Sequence, residues 1–202
     1  MLDRTALKWL APLLTRGARR LVDIGVGADS VTVLGFVFGL VGAICIIQNA
    51  SGLALALILL SRVLDGLDGA VARLTAPTDR GAFLDITLDF LFYASVPLAF
   101  AIAQPEANAL PAAVLLAAFV GTGASFLAFS VLAERRGLKS QDYPSKGIFY
   151  LGGLTEASET LMCFALMCLW PQHFAWWAYG FALMCGVTIT TRLIAGWRAL
   201  TV

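Results

Sequence analysis

Apolar residues fall into six long stretches, at about 30–48, 52–74, 82–103, 110–133, 155–171 and 174–197, separated by short polar connections. A membrane-crossing helix needs about 20 such residues, because it rises about 1.5 Å per residue across roughly 30 Å of hydrocarbon. The runs are continuous rather than alternating, which predicts helices and argues against an outer-membrane barrel. The expected fold is therefore an all-α integral membrane protein with six transmembrane helices. The fifth stretch is the shortest.

Ahead of the first stretch, residues 4–22 (RTALKWLAPLLTRGARRLV) have the pattern of an amphipathic helix on the cytoplasmic membrane surface. Leu7, Leu10, Leu14 and Leu21 are expected to face the acyl boundary, and Pro12 to bend the helix. The first long apolar run begins only near residue 30, so no cleavable signal peptide is expected. With no internal repeat and no linker, residues 1–202 read as one membrane domain.

Composition agrees: 59% of residues are hydrophobic, 13% are charged, and the mean hydropathy is +0.84. Soluble domains run at roughly 45–50% and about 25%. A net charge of +1 lacks the basic footprint of a nucleic-acid binder. Six spans place all 14 Lys and Arg on one side: five before the first span, then Arg62, Arg73, Arg80, Arg135, Arg136, Lys139, Lys146, Arg192 and Arg198. The connections around Gln48-Asn49, Gln104-Pro105-Glu106 and Pro171-Gln172-His173 carry none. By the positive-inside rule both termini are expected in the cytoplasm.

One region breaks the apolar logic. Asp65 and Asp68 are three residues apart, and Asp85 and Asp89 four apart, so each pair shares a helical face. The pairs lie at the cytoplasmic ends of consecutive spans joined by a short turn containing Pro77. Antiparallel neighbours would bring all four carboxylates to one level. A charged Asp at a span centre costs on the order of 2.5–3.5 kcal/mol. Four would cost on the order of 10 kcal/mol, less near the interface. Pairing with Arg62, Arg73 or Arg80 relieves part of this, and a hard divalent cation relieves it better. Oxygen-only ligands suit Mg²⁺, Mn²⁺ or Ca²⁺, and the lack of nearby His or Cys argues against zinc. Gly66, Gly69, Ala70 and Ala72 clear one helix for close packing or for a ligand. Arg73 adds a donor fork suited to phosphate oxygens. Together these groups describe a site for a diphosphate ester.

The array Asp65-x-x-Asp68-Gly69-x-x-Ala72-Arg73, followed by Gly81-x-x-x-Asp85-x-x-x-Asp89, resembles the signature of the CDP-alcohol phosphotransferases (class I CDP-alcohol phosphatidyltransferases). The resemblance implies transfer of a phosphatidyl group from a CDP-alcohol, usually CDP-diacylglycerol, to the hydroxyl of a small polar acceptor, with release of CMP in phospholipid synthesis. It implies that Asp65, Asp68 and Asp85 hold metal and that Asp89 is the general base while approaching a second ion. Two ions, Mg²⁺ or Mn²⁺, are thus expected, as is a homodimer. Gly69 and Arg73 are expected to contact the CDP moiety, with Ala72 and Gly81 part of the same motif.

Two departures from the family pattern matter. Seven residues separate Arg73 from Gly81 where many members have eight, which bears on nucleotide contacts from Thr78 and Asp79. Asp29-Ser30-Val31-Thr32 stands where members often carry Asn-x-x-Thr. Thr32 fits a nucleotide contact. Asp29 either brings a negative charge beside the nucleotide or, with Ser30, caps the helix.

For the acceptor, Lys146 and Arg192 either form a basic pocket or only fix orientation, while Arg135, Arg136 and Lys139 read as orientation charges. Glu156 and Glu159 either select the acceptor or cap the fifth span and pair with Lys146. Cys45, Cys163, Cys168 and Cys185 read as small buried hydrophobes. Gly35-x-x-x-Gly39 packs either helices or a dimer. A divalent-cation transporter or channel would also account for the acidic cluster. It leaves the Gly69, Ala72, Arg73 and Gly81 spacing unexplained.

Overall fold

The computed structural model describes residues 2–137 and 153–201. Among these residues the chain forms seven α-helices and one 3₁₀ turn, in the order α1 (Leu2–Asp23), α2 (Ala28–Ile47), α3 (Ser51–Leu74), α4 (Asp79–Ala103), α5 (Pro105–Arg135), α6 (Ala157–Leu169), the turn Pro171–His173, and α7 (Phe174–Leu200). Each expected apolar stretch coincides with one helix, and residues 4–22 lie inside α1. Among the described residues, four segments are long and apolar enough to cross a membrane: α2, α4, α5 and Pro171–Leu200. The remaining two expected spans are α3, which is 24 residues long but carries the charged motif, and α6, which has 13 residues.

Local chemistry sets the helix ends. α1 closes with Gly25 at φ 78°, a left-handed conformation that glycine adopts without strain, and Val26 N–H returns to the Leu21 carbonyl at 2.9 Å. The Thr78 hydroxyl caps α4 by accepting from Gly81 N–H at 3.0 Å. Pro105 opens α5 where its missing N–H costs nothing. The residue capping α2 is Gly27, without a side-chain bond, so Asp29 and Ser30 are inside the helix and do not cap it. The helix begins two residues earlier than a cap at Asp29 requires.

α2 is the hub. It packs along both α3 and α4, while α3 and α4 scarcely touch each other. Two glycines allow this. A Cβ on Gly35 would stand 3.2 Å from Leu64 Cβ and 3.3 Å from the Ser61 carbonyl, and a Cβ on Gly39 would meet the Phe92 ring at 2.5 Å. The Gly35-x-x-x-Gly39 pair thus seats α2 against neighbours in its own chain. α4 continues onto α5, α5 onto α7, and α6 onto α3 and α7. Phe92, Phe164, Phe119 and Phe181 form edge-on contacts through the centre, and Phe100 stacks on Phe174 with centroids 4.6 Å apart. The four cysteines are buried and free, as expected.

α1 lies against α3, and Leu14 and Leu21 turn toward that helix instead of outward. Leu14 and Leu21 pack on the Ala18, Ala70 and Val71 cluster, and a Cβ on Gly66 would sit 3.2 Å from Leu14 Cδ1. Gly66 and Ala70 are therefore small to admit α1, the packing reading of that stripe. Leu7 and Leu10 fall outside the described side chains. The exterior is strongly apolar, with Val120 70%, Leu183 75% and Trp176 78% exposed. A face of this kind calls for lipid or a partner.

Candidate active site

The two aspartate pairs point at each other across the gap between α3 and α4, with α2 behind them. One carboxylate oxygen from each of Asp65, Asp68 and Asp85 lies within 4.8 Å of the other two. Oxygens sharing one hard divalent ion, bound at about 2.0–2.6 Å, stand at most about 4–5 Å apart. Asp68 is buried, and its Oδ2 atom has no hydrogen-bond partner. A buried acceptor left in this state is costly. The donor set and the unsatisfied oxygen both fit a divalent cation.

Asp89 is held differently. Its Oδ1 accepts from Arg62 Nη1 at 2.6 Å, and the same nitrogen lies 3.3 Å from Asp65 Oδ1. The Arg62 guanidinium stacks 4.1 Å from the centre of the Phe92 ring and lies 5.6 Å from that of Tyr93. Its side chain is 12% exposed. In the sequence Arg62 stands out only as one of the charges able to offset the aspartates. The signal was its position three residues before Asp65, one helical turn away on the same face.

A small pocket opens at this point, lined by Thr32, Gly35, Phe36, Arg62, Asp65, Asp85, Leu88 and Asp89. Thr32 is buried, and its hydroxyl bonds back to the Ala28 carbonyl at 3.0 Å. Toward the α3–α4 turn, Arg73 is exposed and folds back along its helix. A Cβ on Gly69 would be 3.3 Å from Arg73 Nη1. Ala72 is half-buried, and Thr78 and Gly81 form the start of α4. Asp29 reaches this point from α2: Arg80 Nη2 donates to Asp29 Oδ2 at 2.6 Å, and a Cβ on Gly81 would stand 3.0 Å from Asp29 Oδ1. Of the nucleotide candidates, Asp29, Thr78 and Gly81 thus meet at the start of α4, Gly69, Ala72 and Arg73 lie near the end of α3, and none of the six lines the aspartate pocket.

The acceptor candidates lie elsewhere. Glu156 and Glu159 form a capping box at the start of α6: Glu156 N–H donates to Glu159 Oε2 at 3.2 Å, and Glu156 Oε1 accepts from Gly153 N–H at 3.2 Å. This is the capping role. Lys146, the cation expected to pair with them, lies outside the described residues, as does Lys139. Arg192 is buried in α7, donates to the Thr122 carbonyl on α5 at 3.1 Å, and stands 5.6 Å from the Phe126 ring centre. It lines an open hollow between α5 and α7 with Ser125, Phe129, Gly196 and Trp197, which shares no lining residue with the aspartate pocket.

A helical bundle with a cluster of carboxylates able to hold a hard cation, beside an arginine, is compatible with phosphoryl-transfer chemistry. Residues 26–191 match the sequence profile of the CDP-alcohol phosphatidyltransferase family, and the chain belongs to that family. It is therefore a phosphatidyl-transferring enzyme of phospholipid synthesis. Over 200 residues the chain is 47% identical to the inner membrane protein YnjF of Escherichia coli (strain K12), covering 99% of this chain and 97% of the relative. Its fold is similar to that of the Mycobacterium tuberculosis phosphatidylinositol phosphate synthase PgsA1. With the crystal structure that has CDP-DAG bound, the TM-score is 0.73 at 22% identity, covering 92% of this chain and 94% of that one. With the complex containing manganese and citrate, it is 0.71 at 23% identity, covering 91% and 88%.

Proposed function

We propose that this enzyme transfers the phosphatidyl group of CDP-diacylglycerol to the hydroxyl of a small polar acceptor and releases CMP, with Mg²⁺ or Mn²⁺ held by Asp65, Asp68 and Asp85. The observation that carries this reading is the three-carboxylate cluster spanning α3 and α4, with its buried, unsatisfied Asp68 oxygen. A divalent ion bound there would offset the diphosphate charge and stabilise the departing CMP. Arg73, set over the bare backbone of Gly69, would grip the diphosphate with its donor fork. Thr32, Asp29, Ala72, Thr78 and Gly81 would border the nucleotide.

Asp89 would take the proton from the acceptor hydroxyl. The acceptor oxygen then bonds to the β-phosphorus, the bond from that phosphorus to the CMP oxygen breaks, and CMP leaves with the electron pair. A site at the cytoplasmic end of the spans lets the lipid donor stay in the bilayer while the acceptor arrives from water. We assign Arg192 to the acceptor side as its one described basic candidate.

In this reading α3 and α6 complete a six-span bundle in the inner membrane, α1 lies along its cytoplasmic surface, both termini are cytoplasmic, and the enzyme is a homodimer. The placement of Lys and Arg supports this topology. The test is CMP release from CDP-diacylglycerol by the purified enzyme with Mg²⁺ or Mn²⁺. Glycerol phosphate, inositol phosphate, serine, choline and inositol would be screened as acceptors, and the lipid product read by mass spectrometry. Metal-dependent CMP with one new phospholipid supports the proposal, and a folded enzyme releasing no CMP with any of them contradicts it.

A further inference from the structure

α1 presents two different faces. Toward α3, Leu14 Cδ1 lies 3.2 Å from where a Cβ on Gly66 would stand, and a Cβ on Gly17 would come within 2.9 Å of Leu67 Cδ2. Ala18, Ala70 and Val71 are buried together, with Leu21, Val22 and Ala28 packed around them. Gly66, Leu67 and Ala70 lie across α3 from Asp65 and Asp68, on the same two turns. α1 therefore backs the stretch of helix that presents two of the clustered carboxylates. The turn through Gly25 also ties it to α2, which packs on α3 and α4.

The other face meets no part of the described bundle. Arg16, Arg19 and Arg20 are exposed on it, against one acid, Asp23. Along the edge beside them, Leu13 and Ile24 are 63% and 73% exposed and fall in line about three turns apart. Apolar side chains flanked by arginines suit a helix lying in a membrane interface, with stems along the acyl boundary and guanidinium heads at phosphate level. The excess of positive charge complements anionic head-groups.

We propose that this face of α1 docks on anionic phospholipid, and that its packing on α3 makes turnover at the aspartate site depend on the charge of the surrounding leaflet. Head-groups that hold α1 down keep Leu14 and Gly17 seated on Gly66 and Leu67, so that Asp65 and Asp68 stay in register with Asp85. Anionic lipid shifts the population toward this seated state because it binds that state better.

The proposal rests on the reading that lays α1 along the cytoplasmic surface, and one experiment separates the two. Full-length enzyme is reconstituted in phosphatidylcholine vesicles with or without phosphatidylglycerol, at one fixed low mole fraction of CDP-diacylglycerol and saturating Mg²⁺, with the screened acceptors supplied together. CMP release is measured, and a spin label on Ile24→Cys reports depth. Phosphatidylglycerol is expected to raise turnover about fivefold, the equivalent of one arginine's attraction to the surface. Arg16→Gln/Arg19→Gln/Arg20→Gln should lose this stimulation and keep the wild-type rate in phosphatidylcholine, while Arg→Lys at all three positions should retain it. A wild type indifferent to phosphatidylglycerol, or full stimulation in the triple Gln variant, overturns the proposal, and a label still in the acyl region then leaves the placement of α1 standing. A label in water in both lipids overturns the placement and the proposal together. No CMP release in either lipid overturns the transfer reading and this proposal with it.

Discussion

Arg80 reaches from the first turn of α4 to Asp29 in the first turn of α2, with Nη2 2.6 Å from Oδ2. The contact closes the α3–α4 turn over the end of the helix that backs the aspartates. It also explains how an acidic residue is tolerated beside the proposed nucleotide site: Asp29 arrives already paired. Arg80 is 85% exposed, so the pair contributes little to stability, at most about 1 kcal/mol. Arg80→Ala should therefore leave the thermal midpoint nearly unchanged while raising the donor KM about tenfold. Adding Asp29→Asn to that variant should recover most of the loss. Steady-state kinetics with varied CDP-diacylglycerol checks both.

The clustered aspartates repel one another when no cation is bound, so binding and stability should trade places. Asp68→Asn should raise the unfolding midpoint in chelator-treated enzyme. The wild type should gain about 2.7 kcal/mol at Mn²⁺ a hundredfold above Kd, and Asp68→Asn much less. Thermal unfolding with and without Mn²⁺ tests this, and turnover of Asp68→Asn should fall about a thousandfold or more.

Gly35 fixes how closely α2 approaches the backbone that carries Asp65. An added methyl would press on Leu64 Cβ at 3.2 Å and on the Ser61 carbonyl at 3.3 Å, neither of which is the tip of a flexible side chain. Gly35→Ala should cost about 1–3 kcal/mol and lower turnover by displacing α3. Denaturation in detergent, beside an assay at saturating donor, measures the two effects separately.

Arg192 is assigned to the acceptor and lines a hollow distinct from the aspartate cavity. Arg192→Gln should raise the acceptor KM about tenfold and leave the donor KM within about twofold. A rise confined to the donor KM would remove Arg192 from that role.

Much of this was legible in the sequence because it is local. Helix limits follow from runs of apolar residues, and the Asp65/Asp68 and Asp85/Asp89 pairings follow from the helical repeat. Relations between helices were less accessible. Hydropathy shows that α3 and α4 are neighbours in sequence but not that α2 wedges against both through Gly35 and Gly39. It marks Leu14 and Leu21 as an apolar stripe without saying that the stripe meets Gly66 and Ala70 instead of lipid. The split of four aspartates into three around one point and a fourth on Arg62 depends on side chains crossing between helices, which no periodicity reports. Glu156 and Glu159 illustrate the converse. Their three-residue spacing is a capping signature, and capping is what they do.

The central claim is that Asp65, Asp68 and Asp85 share a cation that grips the diphosphate of a cytidine nucleotide. ³¹P electron–nuclear double resonance on the Mn²⁺-loaded enzyme addresses it most directly. Adding CDP-diacylglycerol should produce a phosphorus coupling to the bound Mn²⁺ that disappears in Asp85→Asn. Bound Mn²⁺ showing no phosphorus coupling with saturating donor, or an undiminished coupling in Asp85→Asn, would contradict it.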